Sequence, residues 1–210
     1  MHISEGVLSA PVLAVGAALA IGGVAVGLKK LKDDQVVLCG MLSAAFFVGS
    51  LVHVPVGVGN AHLLLTGLLG CLLGWAAFPA VFAALLLQAL LFQYGGLTTL
   101  GVNTFCMGFS AVLSWYAFRA IYKIYPSPAG LKVAAFCGGF LGTAFGAILA
   151  ALSLIFTDEG FFAAAGILLA AHLPVMLIEG LITMFSAWFI ARVNPEMLAL
   201  PRILNTPRSV

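Results

Sequence analysis

Of the four histidines in this chain, the one at position 2 has the most distinctive chemistry open to it. A free amine on Met1, the deprotonated amide nitrogen of His2 and the His2 Nδ1 atom could hold one cation in a single plane. The amine and amide close a five-membered ring, and the amide and Nδ1 close a six-membered one. Only a metal that favours a tetragonal nitrogen field displaces an amide proton. That points to Ni(II) or Cu(II), and less strongly to Co(II). The opening Met1-His2-Ile3-Ser4-Glu5-Gly6 has no basic leader and no small-residue cleavage site, so a retained amino terminus is expected.

A planar site needs a fourth nitrogen, and the stretch from His53 to His62 offers two candidates. Its Gly and Pro content argues against regular helix. Such a segment can fold back among helices only where its backbone is buried in protein or meets water. His62 is the favoured ligand, because it is expected to open a helix that would fix its direction. His53, beside the Pro55 turn, competes and reads as an interfacial histidine. Asn103 has two compatible roles: orienting the imidazole or its loop, and capping a helix amino terminus. His172, just before Pro174, and Glu179 are ionisable groups inside an apolar segment and so are functional candidates by default. Asp158 and Glu159 would be the first carboxylates to suspect if the ligands were oxygens.

The elements that must position these groups are membrane spans. Hydrophobic residues make up 63% of the 210 positions and charged residues 8%, far from the globular average. The 24 glycines suit close helix packing in lipid. The net charge of +2 carries no nucleic-acid signal, because the basic residues sit in short loops and a tail. Cys39, Cys71, Cys106 and Cys137 lie in apolar stretches without C-x-x-C spacing and read as small core residues.

Apolar runs predict spans at Ser9–Leu28, Val36–His53, His62–Phe78, Ala80–Gln93, Val102–Tyr122, Leu131–Phe156 and Phe161–Arg192. The third and fourth form one continuous run, with a tight turn expected near Trp75 and Pro79. Charge supports separating them. With seven spans and the amino terminus outside, all nine Lys and Arg residues fall on the cytoplasmic side, as the positive-inside rule requires. The expected fold is therefore an all-α polytopic membrane protein of seven transmembrane helices with a cytoplasmic carboxyl terminus. It forms a single integral membrane domain over 1–210. Residues 1–8 are the outer chelating terminus, 54–61 an outer loop and 193–210 a cytoplasmic tail.

Three segments together resemble one known family. They are Met1-His2-Ile3-Ser4-Glu5-Gly6-Val7-Leu8-Ser9, the Gly/Asn-rich loop ending at His62, and Gly95-Gly96-Leu97-Thr98-Thr99-Leu100-Gly101-Val102-Asn103 with Met107-Gly108. The family is CbiM/NikM, the substrate-binding components of energy-coupling factor transporters for cobalt and nickel. The resemblance runs over nearly the whole chain. It implies metal ligation by Met1, His2 and His62, with Asn103 in a supporting motif. The implied function is high-affinity capture of Ni2+ or Co2+ at the outer face of a prokaryotic cytoplasmic membrane, for ATP-driven import. The metal is then substrate, and no catalytic cofactor is expected. Implied partners are a transmembrane coupling subunit, two ATP-binding-cassette ATPases and, in many cases, a small accessory membrane subunit. No Gly-x-x-x-x-Gly-Lys-Ser/Thr sequence occurs here, so hydrolysis is expected on another polypeptide and this chain is not expected to be an enzyme. Gly40 and Ala44 offer a small-residue face for the coupling subunit, while the small residues of the first span suit packing within the chain equally well.

Two rival readings remain at this level. Gly108-Phe109-Ser110-Ala111 with Ala171-His172 resembles a rhomboid-type intramembrane serine protease, with Ser110 as nucleophile and His172 as base. A stand-alone metal channel or secondary transporter would need no ATPase at all.

Overall fold

The computed structural model describes residues 2–51, 53–56, 59–198 and 200. Met1, and with it the expected amine ligand, lies outside the described residues, as does most of the tail.

Seven α-helices follow one another: α1 (Ala10–Lys30), α2 (Val36–Leu51), α3 (Thr66–Leu73), α4 (Ala77–Phe92), α5 (Leu100–Ile124), α6 (Pro128–Ile155) and α7 (Phe162–Val193). Among the described residues five helical segments are long and apolar enough to cross a bilayer, with Thr66–Phe92 counted as one. Large apolar side chains face outward, among them Ile21, Val37, Phe162 and Phe185. In water such a surface would aggregate, and in lipid it is the solvated face.

The fold is not purely helical. Three short strands, β1 (His2–Ile3), β2 (His53–Val56) and β3 (Gly59–His62), form one antiparallel sheet in the order β1-β3-β2. Residues 54–56 and 59–61, expected as parts of an outer loop, thus belong to the two strands of a β-ribbon. Backbone groups in an apolar surrounding must find partners, and a ribbon supplies them where a free loop would not. Pro55 falls in β2, an outer strand of this sheet, where its missing N–H costs the least.

The third element departs most from expectation. The sequence places its start at His62, but α3 begins at Thr66 and has only eight residues. Leu65 adopts a left-handed conformation with φ at 50°, which no helix continues through. At the other end Gly74 takes φ 56° and ψ −122°, breaking the long apolar run where a turn near Trp75 was expected. Pro79 lies in the first turn of α4, a position that tolerates a missing donor.

Helix α5 packs against α1, α3, α4 and α6. Close approach rests on small residues: Gly16, Ala20, Gly23 and Gly27 form the buried stripe of α1, and Gly16 meets Val102 of α5. So the small residues buried in the first span serve packing within the chain. The four cysteines are unpaired, and Cys39, Cys71 and Cys106 are buried, as expected of core residues. In α3 a Cβ at Gly70 would strike the Ala111 carbonyl of α5. Gly70→Ala should therefore destabilise the detergent-solubilised protein by about 1–3 kcal/mol, the usual cost of overpacking. Gly40→Ala, where a Cβ meets open space, should leave the thermal midpoint unchanged or slightly raised.

Candidate metal centre

The sheet brings His2 and His62 together. β1 has β3 on one side, with His2 opposite Asn60. On its other side the Asn103 amide of α5 imitates a further strand. The Ile3 N–H donates to Asn103 Oδ1 at 3.0 Å, and Asn103 Nδ2 donates to the Ile3 carbonyl at 3.1 Å. Asn103 lies within α5, whose cap position belongs to Thr99, so capping is not its role. Held between β3 and Asn103, His2 places its Nδ1 atom 2.7 Å from His62 Nε2. Both residues are buried, at 1% and 3% exposure.

The contacts of His62 define where its proton sits. Its Nδ1 lies 2.7 Å from the Leu63 carbonyl, an acceptor, so Nδ1 carries hydrogen and Nε2 presents a lone pair. Burial pushes the pKa of both imidazoles well below the usual histidine value, and the nearby His2 ring lowers that of His62 further. Both rings are therefore neutral near pH 7, the state a metal requires. Two ring nitrogens bound to one ion at about 2.0–2.1 Å, with a right angle between the bonds, stand roughly 2.8–3.0 Å apart. The observed separation is close to that of two such ligands.

Around the pair, Tyr94 packs on the His2 ring at a centroid distance of 4.2 Å and stacks on His53 at 4.5 Å. Gly95, with φ at 89°, lets the α4–α5 turn pass within contact of His2, because a Cβ there would stand 3.0 Å from His2 Cδ2. On the far side of His62, the Glu179 carboxylate accepts the N–H groups of Leu64 at 2.5 Å and Leu65 at 2.8 Å. Those donors precede the first turn of α3, so an acidic side chain from α7 occupies that helix amino terminus. It also fixes the segment that follows His62.

The remaining candidates stand apart. His62 sits on a strand and not at a helix start, so ribbon pairing orients it. His53 pairs with His62 in the β2–β3 register, but it is exposed and its Nδ1 bonds the Leu51 carbonyl at 2.9 Å. Ser110 donates to Met107 within its own helix at 2.8 Å, and His172 Nδ1 turns to the Leu168 carbonyl. His172 Nε2 has no partner, so no Ser–His dyad forms and the protease reading has no geometric support. Glu179 is fully buried midway along α7. Gly40 and Ala44 lie exposed on α2, and a Cβ at Gly40 would meet nothing. Asp158 and Glu159 are exposed in the α6–α7 turn. Among the described residues no three His, Cys, Asp or Glu side chains converge on one point.

Known proteins resemble this chain over most of its length. The family described as the cobalt uptake substrate-specific transmembrane region, CbiM, matches residues 2–197. The chain belongs to this family. A putative metal transport protein of Haemophilus influenzae is 39% identical over 202 residues, covering 94% of this chain and 97% of that one. A putative fused nickel transport protein of Archaeoglobus fulgidus is 30% identical, covering 94% of this chain and 68% of its own length. The crystal structure of a truncated transition metal transporter superposes with a TM-score of 0.78 at 28% identity, covering 92% of this chain and 99% of that one. As a CbiM-family member the chain is a multi-pass membrane component of metal transport.

Two residues near the histidine pair carry no signature of that placement in the sequence. Tyr94 gave no signal beyond its place beside the Gly95-Gly96 pair. Glu179 was conspicuous as an acid in an apolar run, yet its partners, two main-chain donors, have no sequence signature.

Burial of the two imidazoles has a stability consequence. An unfolded histidine protonates near its usual value of about 6.5, whereas these stay neutral to lower pH in the fold. Below about pH 6.5 the unfolded chain binds more protons than the folded one, so stability falls with pH. The thermal midpoint of the metal-free protein should drop between pH 6.5 and 5. His62→Gln, which removes one titrating group, should flatten that profile.

Proposed function

We propose that this chain is the substrate-capturing component of an energy-coupling factor importer for Ni2+ or Co2+. The observation that carries the proposal is the buried His2 Nδ1 to His62 Nε2 separation of 2.7 Å, close to that of adjacent nitrogen ligands of one ion. Two side chains alone bind such ions weakly. The amine of Met1 and the amide nitrogen of His2 complete a planar set of four nitrogens. That set uses two main-chain groups, in keeping with the lack of a third ligating side chain among the described residues. Asn103 holds β1 against α5 and so keeps His2 aimed. The names of the nickel and cobalt relatives are consistent with either ion.

In this reading the chain crosses the cytoplasmic membrane seven times, with α3 a half-length element and the amino terminus outside. Support comes from the basic residues, which gather with tryptophans at helix ends remote from the histidine pair. Lys30 lies over Trp75, Arg119 over Trp115, and Lys132 and Arg192 over Trp188. Such a belt suits the cytoplasmic interface. The metal is then captured from outside, and ATP is hydrolysed on two partner ATPases joined through a transmembrane coupling subunit, with or without a small accessory membrane subunit.

Equilibrium binding of Ni2+ to chain with a native amino terminus tests the ligand set. One extra residue before Met1 turns the amine into an amide, and affinity should fall by at least about 100-fold while the fold persists. His62→Ala should lose binding comparably, and His53→Ala and His172→Ala should stay within a few-fold of wild type. Full occupancy in the extended chain would refute the chelate.

The coupling contact is tested separately. Gly40 and Ala44 leave a small-residue face on α2, where among the described residues nothing meets a Cβ built at Gly40, a surface suited to close helix contact in lipid. Gly40→Leu should preserve Ni2+ binding by the isolated chain and abolish ATP-dependent uptake by the reconstituted complex. Intact uptake would exclude this face as the contact. Uptake by this chain alone, without partners, would favour a self-sufficient transporter.

A further inference from the structure

The basic end of α5 carries a cavity that the metal centre does not use. Tyr116, Arg119, Ala120 and Lys123 are spaced so that they share one face of the last turns of this helix. With Trp115 and Leu200 they line a cavity of about 310 Å³. The Arg119 guanidinium lies over the Trp115 ring, 5.0 Å from its centroid. Stacking occupies the flat face of the guanidinium and leaves its in-plane N–H groups free to donate. Tyr116 accepts the Trp75 Nε1–H at 3.3 Å, so its own hydroxyl hydrogen is left for another acceptor. Lys123 is exposed and adds three further donors. Among the described residues no carboxylate lines this cavity.

A set of donors without an acid calls for an anion with several oxygens, and a guanidinium beside an ammonium suits a phosphate group. The surroundings point to the source of that phosphate. Tyr116 and Ile124 are exposed, on a membrane protein whose outward apolar side chains face lipid. Tryptophan and tyrosine, here Trp75 bonded to Tyr116, gather at the level of lipid headgroups. Lys30 stands 5.9 Å from the Trp75 centroid and brings a third cation to the same level. A free phosphate would leave the apolar walls at Trp115 and Leu200 without a partner. A phospholipid sets glycerol and acyl carbon against them while its phosphate meets the donors. Basic pockets between transmembrane helices hold anionic headgroups by the same chemistry.

We propose that the cavity between Trp115, Tyr116, Arg119, Lys123 and Leu200 is a binding site for one anionic phospholipid. Its phosphate takes the in-plane N–H groups of Arg119 and the Tyr116 hydroxyl, and Lys123 balances the headgroup charge from the rim. A lipid held by the folded chain alone stabilises it by mass action, so the charge of the surrounding membrane becomes a determinant of its stability. The inference requires only that the chain lies in a bilayer. It stands whether or not His2 and His62 bind an ion.

Thermal unfolding of the full chain in detergent, with phosphatidylglycerol or phosphatidylcholine added, tests it. Phosphatidylglycerol should raise the midpoint by at least about 4 °C more than phosphatidylcholine at the same concentration. Arg119→Gln combined with Lys123→Gln should lose most of that difference, and Tyr116→Phe part of it. Lys132→Gln combined with Arg192→Gln removes the same charge beside Trp188 and should keep it. The readout is a difference between two lipids within one variant, so a variant with a lower midpoint still reports. Equal midpoints in the two lipids for the wild-type chain would overturn the proposal without any variant. Equal losses in the two double variants would reduce the effect to bulk surface charge and overturn it as well. The full shift from inorganic phosphate would give the cavity to a soluble anion and not to a lipid. No lipid effect on the isolated chain, with uptake by the reconstituted complex lost in the Arg119 and Lys123 double variant, would assign the cavity to an acidic partner segment, and the lipid site would fall.

Discussion

The arrangement depends on two uncharged imidazoles held in contact inside an apolar protein, each with one nitrogen turned toward the other. Groups on either side tie the pair down. The Leu63 carbonyl takes one ring N–H, and the Asn103 amide closes the free edge of the first strand. Tyr94 packs against the His2 ring, and Gly95 lets the turn come close enough to do so. Three stretches distant in sequence therefore meet at one point: the amino terminus, the ribbon before α3 and the α4–α5 turn. A displacement of any one would leave buried polar groups without their partners.

The same requirement accounts for the short third helix. A helix that begins inside the membrane exposes main-chain N–H groups, and a carboxylate is a strong acceptor for them. Glu179 supplies it from α7, taking the donors of Leu64 and Leu65 while Leu65 sits in a left-handed turn. One carboxylate oxygen gains two main-chain donors, and those two donors gain an acceptor. As a by-product, the residues following His62 are held on both sides, by ribbon pairing before and by Glu179 after. Packing of the half helix then relies on glycine: Gly67 lies against Gly139, and Gly70 against the Ala111 carbonyl. Lipid gives no hydrophobic drive between helices, so such close contacts carry the association.

Much of this was legible in the residues. Composition identified a helical membrane protein, and its apolar runs marked the helices to within a few residues, apart from α3 and the start of α4. The start Met1-His2 and the segment ending in His62 marked out nitrogen donors by residue type alone. The motif order pointed to the family to which the chain belongs. Less legible were the elements whose logic is pairing across distance. The ribbon of β2 and β3 has glycine and proline where strands usually have branched residues, so local preference argued for a loop. Its partners, the strand at the amino terminus and an asparagine on α5, are invisible to any local window.

By itself, the sequence determined which chemistry was available: histidines able to ligate a metal, apolar stretches of membrane length, and no nucleotide-binding loop. These follow from residue type and local spacing, which are properties of the chain whatever its fold. Only the tertiary structure decided which histidine meets which. His62 and not His53 faces His2, because antiparallel pairing and the Leu63 carbonyl turn it inward while His53 remains exposed against Tyr94. Ser110 and His172 were equally available in the sequence, and each is spent on a carbonyl of its own helix. The physical reason is common to these cases. Where water is excluded, a buried donor needs an acceptor, and which acceptor it meets is set by the tertiary fold and not by any one stretch of the chain.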